Sequence, residues 1–405
     1  MRLKDELKLQ IKTSNTGRFT LGDDNYGVLG SAYLASNADL IAGTTYDWVD
    51  VLDGTLSIRI TRGVNQLTGV SAVPVISAGT MRITTRNRNL DPYTSRYMKP
   101  KKTMRLITAD GQVVFIGKID AISVDYRSDK EQPIITFDVV DPVADLQQAA
   151  TKLNDPLTSR NKTWNQRITE ILTNSKRSGI TKSIVGGGVI RHDGWGDNKT
   201  VWQALLLAQT TESGFIYFDR TGKMWAYGKG NFTPPDATIA FSNYDESMFG
   251  FKSILVDANS DSIINEIQVE NSEVQTDTAG NTVNGYEVLG PYRSNASVNT
   301  YGAHVYAAST NFYRVGNTKH VTWADNLLNK NAQPQIVVKE ITWNAKLDTY
   351  KAAHTDIGHS VTIAYRSEYL DIFRDLTIVG IVHEIDAAND NWHTSYSLFE
   401  QGRFS

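Results

Sequence analysis

Met104-Arg-Leu-Ile-Thr-Ala-Asp-Gly-Gln-Val-Val-Phe-Ile-Gly-Lys-Ile119 sets two apolar runs on either side of an Asp-Gly pair. Asp110-Gly111 between such runs is a strong hairpin signal, because the pair adopts the backbone angles of a tight turn at little cost. Upstream, Leu56, Ile58 and Ile60 alternate with polar residues, as do Met81 and Ile83; downstream, residues 121–126 and 134–140 continue the series. A period of two sends successive side chains to opposite faces and marks half-buried strands. Residues 46–148 therefore read as one antiparallel barrel or sandwich. Residues 1–45 are an N-terminal segment whose docking is left open.

At Asp141-Pro142 the period changes. In Thr163-Trp-Asn-Gln-Arg-Ile-Thr-Glu-Ile-Leu172, the residues Trp164, Ile168, Ile171 and Leu172 fall on one face of a helix. A second helix follows a glycine-rich stretch (Gly186, Gly187, Gly188, Gly194, Gly196). Thr200 and Gln203 have capping-box spacing, Trp202, Leu205 and Leu206 form the apolar stripe, and Gly214 is placed to end it. Phe215-Ile-Tyr-Phe218, a turn at 219–222 and Lys223-Met-Trp-Ala-Tyr227 then predict a hairpin, so 149–255 reads as an α+β insert.

Residues 256–405 return to strands. Residues 263–269 form one, the polar segment 270–299 reads as a long loop or extended hairpin, and Trp323, Leu327 and Leu328 suggest one short helix that stops before Pro334. Residues 336–343, 360–365, 376–385 and 393–399 alternate again. The expected fold is mainly β with an α+β insert: two tube-like β-barrel domains flanking a small helix-plus-hairpin domain.

A chain of 405 residues is long enough for two to four packed units. Its 40% hydrophobic and 21% charged residues are ordinary for a globular protein. With 41 Lys and Arg against 44 Asp and Glu, the net charge of −3 gives no whole-molecule attraction to nucleic acid or anionic lipid. The absence of cysteine removes disulfides, thiolate metal sites and cysteine nucleophiles. The first ten residues alternate charge with leucine and lack the apolar core of a signal peptide, and no later stretch approaches the roughly 18 apolar residues of a membrane helix. Synthesis in a cytoplasm without signal-dependent export is expected.

Residues that carry chemistry form no constellation along the chain. His354, Asp356 and His359 lie close in sequence, as do His383, Glu384 and Asp386. On a strand, however, His383 and Glu384 point to opposite faces, and no His-Glu-x-x-His occurs. Gly194-Trp-Gly-Asp-Asn-Lys199-Thr200 invites comparison with a phosphate loop, yet Asn198 and Asp193 stand where that loop needs glycine. The pairs Asp257 with Asp261 and Glu384 with Asp386 would suit glycoside chemistry only at a set carboxyl separation, which sequence does not supply. No Gly-x-Ser-x-Gly elbow is present. Trp164, Trp202, Tyr217 and Trp225 fall on apolar faces and read as core rather than as stacking platforms for sugars or bases. The expectation is a chain with no catalytic, cofactor-binding or metal-binding residues.

Charge is unevenly laid out. Between 82 and 105 stand eight basic residues (Arg82, Arg86, Arg88, Arg96, Lys99, Lys101, Lys102, Arg105) and one acid, Asp91; between 236 and 287 stand ten acids and one base, Lys252. Two solvated faces, a nucleic-acid strip, and complementary patches that meet across subunits of an assembly all fit such a pattern.

Taken in order, several motifs resemble the tail-tip hub (minor tail) proteins of long-tailed bacteriophages. The opening ones are Tyr46-Asp-Trp-Val-Asp-Val-Leu-Asp53, Ser57-Ile-Arg-Ile-Thr-Arg-Gly63, Ala78-Gly-Thr-Met-Arg-Ile-Thr-Thr-Arg-Asn87, the following turn into Asp91-Pro92, and Phe115-Ile-Gly-Lys-Ile119. The helix-to-hairpin segment 201–227 follows, then Asp356-Ile-Gly-His-Ser-Val-Thr-Ile363, Val379-Gly-Ile-Val-His-Glu-Ile385 and Trp392-His-Thr-Ser-Tyr-Ser-Leu398. The resemblance covers about 46–400. It implies a fold similar to the trimeric baseplate hub of contractile phages, in which three chains make a ring of six barrels that adapts a sixfold tail tube to a threefold tip. It further implies a non-enzymatic virion protein of the tail tip, assembled in the host bacterial cytoplasm. The implied partners are itself as a homotrimer, the tail tube or distal tail protein, tip or receptor-binding proteins, the tape-measure protein, and DNA passing through the lumen without sequence recognition. No cofactor is implied, and a C-terminal peptidase or glycosidase extension is not expected. The alternatives are a β-sandwich carbohydrate- or receptor-binding module of a phage tail and, third, a glycan-cleaving enzyme.

Overall fold

The computed structural model describes residues 2–14, 46–64, 74–93, 98–126, 132–151, 160–187, 190–195, 199–234, 239–257, 263–276, 278, 282–314, 318–334 and 337–400. The strands are β1 (Leu7–Ser14), β2 (Tyr46–Asp50), β3 (Thr55–Gly63), β4 (Ser77–Thr85), β5 (Thr103–Thr108), β6 (Val113–Asp125), β7 (Ile134–Val140), β8 (Lys182–Val185), β9 (Phe215–Phe218), β10 (Met224–Tyr227), β11 (Ile239–Ser242), β12 (Ser253–Asp257), β13 (Glu266–Thr276), β14 (Thr282–Arg293), β15 (Val305–Thr310), β16 (Val337–Asn344), β17 (Ser360–Arg366), β18 (Asp371–Asp386) and β19 (Asn391–Glu400). The helices are α1 (Leu3–Glu6), α2 (Pro142–Gln148), α3 (Trp164–Asn174), α4 (Val201–Glu212), α5 (Asn295–Tyr301), α6 (Lys319–Asn331) and α7 (Thr349–His354). Among the described residues no helix is long and apolar enough to cross a membrane.

β5 and β6 form the hairpin signalled by Asp110-Gly111, with Leu106 opposite Phe115 and Gly111 N–H donating to Thr108 O at 2.9 Å. β6 then shifts register between Ile119 and Ala121 where it pairs with β7, so one long strand serves two neighbours. Thirteen strands join one sheet in the order β12-β16-β19-β18-β3-β4-β7-β6-β5-β1-β2, with β17 on β18 and β11 parallel to β17. The class is mainly β with an α+β insert, as the sequence implies. The two β segments expected as separate barrels share this sheet: β18 pairs with β3 from Gly380 opposite Gly63 to Asp386 opposite Ser57. Among the described residues the strand order does not close on itself. Part of the N-terminal segment docks here too, since β1 pairs with both β5 and β2 and seats Leu7, Leu9 and Ile11 in the core.

In the insert, α3 and α4 each begin with a reciprocal capping box, Thr163 with Gln166 and Thr200 with Gln203. They bury Trp164, Ile168, Leu172, Trp202 and Leu205 in the same core as the sheet β8-β10-β9. α4 stops one residue before the expected position: Ser213, not Gly214, takes the left-handed conformation, at φ 54°. Residues 263–334 make a further unit, the sheet β14-β13-β15 backed by α6. Ile267, Val269, Phe312, Trp323 and Leu327 belong to its own hydrophobic cluster. The polar segment 270–299 is thus an extended hairpin followed by α5, and the short helix expected near Trp323 runs 13 residues.

Candidate functional site

Chemistry-bearing side chains gather where the parts of the chain meet. Arg62, near the end of β3, is almost wholly buried; its Nη1 donates to Asp356 Oδ1 at 2.7 Å and its Nη2 to the Phe218 carbonyl at 2.9 Å. The other Asp356 oxygen accepts from Arg220 N–H at 2.8 Å, and the Arg220 guanidinium reaches the Ala353 carbonyl. One ion pair therefore ties the first β segment, the β9–β10 turn of the insert and the loop after α7. Such a pair offsets its desolvation only when the remaining donors and acceptors are also satisfied, as they are for Asp356, which also accepts from Ile357 N–H at 2.8 Å. Beside it Asp141 caps α2, accepting from Val143 N–H at 2.9 Å. Burial pushes its carboxyl up to about 6, against the opposing pull of backbone N–H groups and Arg62. Burial also holds His359 below the ordinary imidazole range, and its Nδ1 has no hydrogen-bond partner among the described residues.

A second knot joins the insert to the 263–334 unit. His192 Nε2 lies 3.2 Å from Glu212 Oε2 and its Nδ1 3.3 Å from Asn311 Oδ1. Thr211 Oγ1 donates to Asn311 Oδ1 at 2.7 Å, Asn311 Nδ2 to the Asp193 carbonyl at 2.9 Å, and Arg167 Nη2 to the His192 carbonyl at 3.1 Å. Burial lowers the Arg167 guanidinium to about 10. His192 and Glu212 have the look of an acid–base pair, but both are 0% exposed, so no substrate reaches them. Sequence reasoning missed this knot because its members come from four separated segments, and those within quoted stretches, such as Arg167 and Glu212, were read there for helical pattern only.

The residues singled out from sequence do not converge. His354 stacks on Tyr350 with centroids 3.7 Å apart, whereas Asp356 is engaged by Arg62. His383 is buried, accepts from Trp392 Nε1 at 3.3 Å, lies 2.9 Å from Thr394 Oγ1 and is driven down to about 3 by desolvation. Glu384 points the other way, to Arg59 at 3.7 Å, and Asp386 accepts from Ala388 and Asn389 N–H in a turn. Asp257 pairs with Lys339; Asp261 lies outside the described residues. Among the described residues no three His, Asp or Glu are placed to hold a metal ion. The glycine-rich stretch is anchored by Trp195, fully buried with its Nε1 donating to Thr151 Oγ1 at 3.0 Å; Gly188 and residues 196–198 lie outside the described residues.

Trp164, Trp202 and Tyr217 are core residues, as expected. Trp225 is partly buried in a row of near-parallel rings with Tyr227 and Tyr217, and Lys223 Nζ stands 3.7 Å from its centroid, so its faces are occupied within the chain. Some of the unevenly laid charges are answered internally. Arg82 pairs with Asp138, Lys101 with Asp120, and Arg105 lies over Trp48, while Glu266 pairs with Arg293 and Glu287 with Arg314. Arg96, Asp236 and Asp277 lie outside the described residues. What the surface does offer is scattered apolar area, most of it on strands and turns: Tyr93, Tyr369, Phe373 and Val288 are all more than half exposed.

No protein-family model matches the sequence, and no curated protein matches it. Solved structures do. The tail protein from Neisseria meningitidis MC58 superposes with a TM-score of 0.55 at 14% identity, covering 86% of this chain and 96% of that one. The 43 kDa tail protein of prophage MuSo2 from Shewanella oneidensis gives 0.55 at 13%, over 99% of this chain and 100% of that one. Prophage tail protein gp18 from Listeria monocytogenes gives 0.51 at 11%, over 88% and 92%. At such identities the likeness is one of fold: this chain has the fold of prophage tail proteins, in agreement with the resemblance carried by its motifs.

Proposed function

We propose that the chain is a structural, non-enzymatic subunit of a phage tail tip, a baseplate hub protein that assembles as a homotrimer. In this reading residues 46–148 and 256–405 supply the two hub units per chain, 149–255 is the insert between them, and three chains form a ring that adapts a sixfold tube to a threefold tip. The tube or distal tail protein and the tip or receptor-binding proteins contact its two sides, while the tape-measure protein and DNA pass through its lumen. The protein is then a virion component assembled in the host cytoplasm. The observation that carries the reading is the likeness in fold to whole tail proteins from end to end of the chain. A function that depends on architecture needs no converging polar site, and the polar side chains here hold segments together. Electron microscopy of tails carrying a tagged copy tests it: label at the distal tip, in threefold arrangement, is the expected result. Label in the capsid or along the tube would refute it.

A further inference from the structure

A groove of about 410 Å³ opens where β6, the end of β7 and α2 meet the turn after α3. Ile116, Val140, Leu146 and Ile180 line its floor, and Lys176 and Arg177 stand on its rim. Its size is that of a pocket which buries one or two anchoring side chains. Two carboxylates also face it, yet both are engaged: Asp145 is held by Lys118 Nζ at 2.6 Å, and Asp141 caps α2. Lys176 and Arg177, both exposed, make no side-chain hydrogen bond or ion pair with any described residue. Lys176 moreover sits at φ 58°, a left-handed position at a helix end where glycine costs least.

We propose that this groove docks an extended acidic segment of a partner protein, an apolar side chain seated on the floor and flanking carboxylates paired with Lys176 and Arg177. A desolvated apolar anchor supplies most of the affinity of such a contact, and charge-assisted hydrogen bonds fix its orientation.

The test is fluorescence anisotropy of the full chain with a labelled peptide, acetyl-Glu-Asp-Leu-Glu-Phe-Asp-amide. Saturable binding is expected, weakened at least about tenfold by Lys176→Glu with Arg177→Glu and by high salt. Lys176→Gly is the control for folding: it keeps or raises the melting temperature while weakening binding. No saturable binding, equal binding of a peptide with lysines in place of the acids, or indifference to all three substitutions overturns the proposal. So does self-association of the parent chain that the double reversal abolishes, which would give the groove to a second copy.

Discussion

Gly380 on β18 and Gly63 on β3 face each other across the seam between the first and last β segments. A Cβ on Gly380 would stand 1.8 Å from the Val64 carbonyl oxygen, and one on Gly63 would stand 2.2 Å from that of Val379. Gly380→Ala is therefore expected to lose at least about 2 kcal/mol, read as a lowered urea midpoint; an unchanged midpoint would mean that the backbones are not so close. At the Arg62–Asp356 pair, Arg62→Met leaves a buried carboxylate without its cation and costs about 3–5 kcal/mol. Adding Asp356→Asn should recover part of that loss, a coupling that a double-mutant cycle measures. Asp141 works in the opposite direction. Its folded carboxyl titrates near about 6, above the ordinary 3.8, so folding favours the protonated form. That contribution is fully present below the unfolded value and lost as pH rises through the folded one, leaving a penalty of at most about 3 kcal/mol at pH near 7.5. Asp141→Asn keeps an acceptor for the α2 cap and is expected to be the more stable protein at neutral pH, its advantage shrinking toward pH 5.

At the scale of elements, the helices of the insert are set by their ends. Thr163 and Thr200 each satisfy an N–H that the first turn leaves unpaired, and replacing either by alanine should cost about 1 kcal/mol. The helices start independently, so the two losses should add in thermal unfolding; marked non-additivity would argue against separate caps. Ser213 holds a left-handed residue at the end of α4. Ser213→Gly should stabilise by up to about 1 kcal/mol. The sequence signals for these starts were legible because a capping box is local. The stop was misplaced by one residue because Gly214 is the easier left-handed residue, whereas its N–H donates to the Gln209 carbonyl.

For the molecule as a whole, the expected state is a trimer by light scattering. Its mass should change little with salt, since the ion pairs made by Arg82, Lys101, Glu266 and Glu287 all lie within one chain. Lys101→Glu with Lys102→Glu should then alter stability by less than about 1 kcal/mol and leave the oligomer intact. Dissociation of the trimer in salt, or on that reversal, would instead restore the pairing of the two runs across subunits that their sequence layout allows. A monomer at every concentration would leave ring closure dependent on a tail-tube template.

The period of two around Asp110-Gly111, the change of period at Asp141-Pro142 and the capping boxes determined by themselves many of the strands, the insert and the class of fold, because each rests on contacts between near neighbours in the chain. The order of the motifs determined the likeness to tail proteins. Only the tertiary structure decided that the two β segments share a sheet through β3 and β18, that residues 263–334 pack around their own core, and that Arg62, Phe218 and Asp356 meet. Those contacts join residues far apart in the chain. A pairing of this kind depends on which strand edges and buried charges find partners once the chain has collapsed, and no local pattern records that choice.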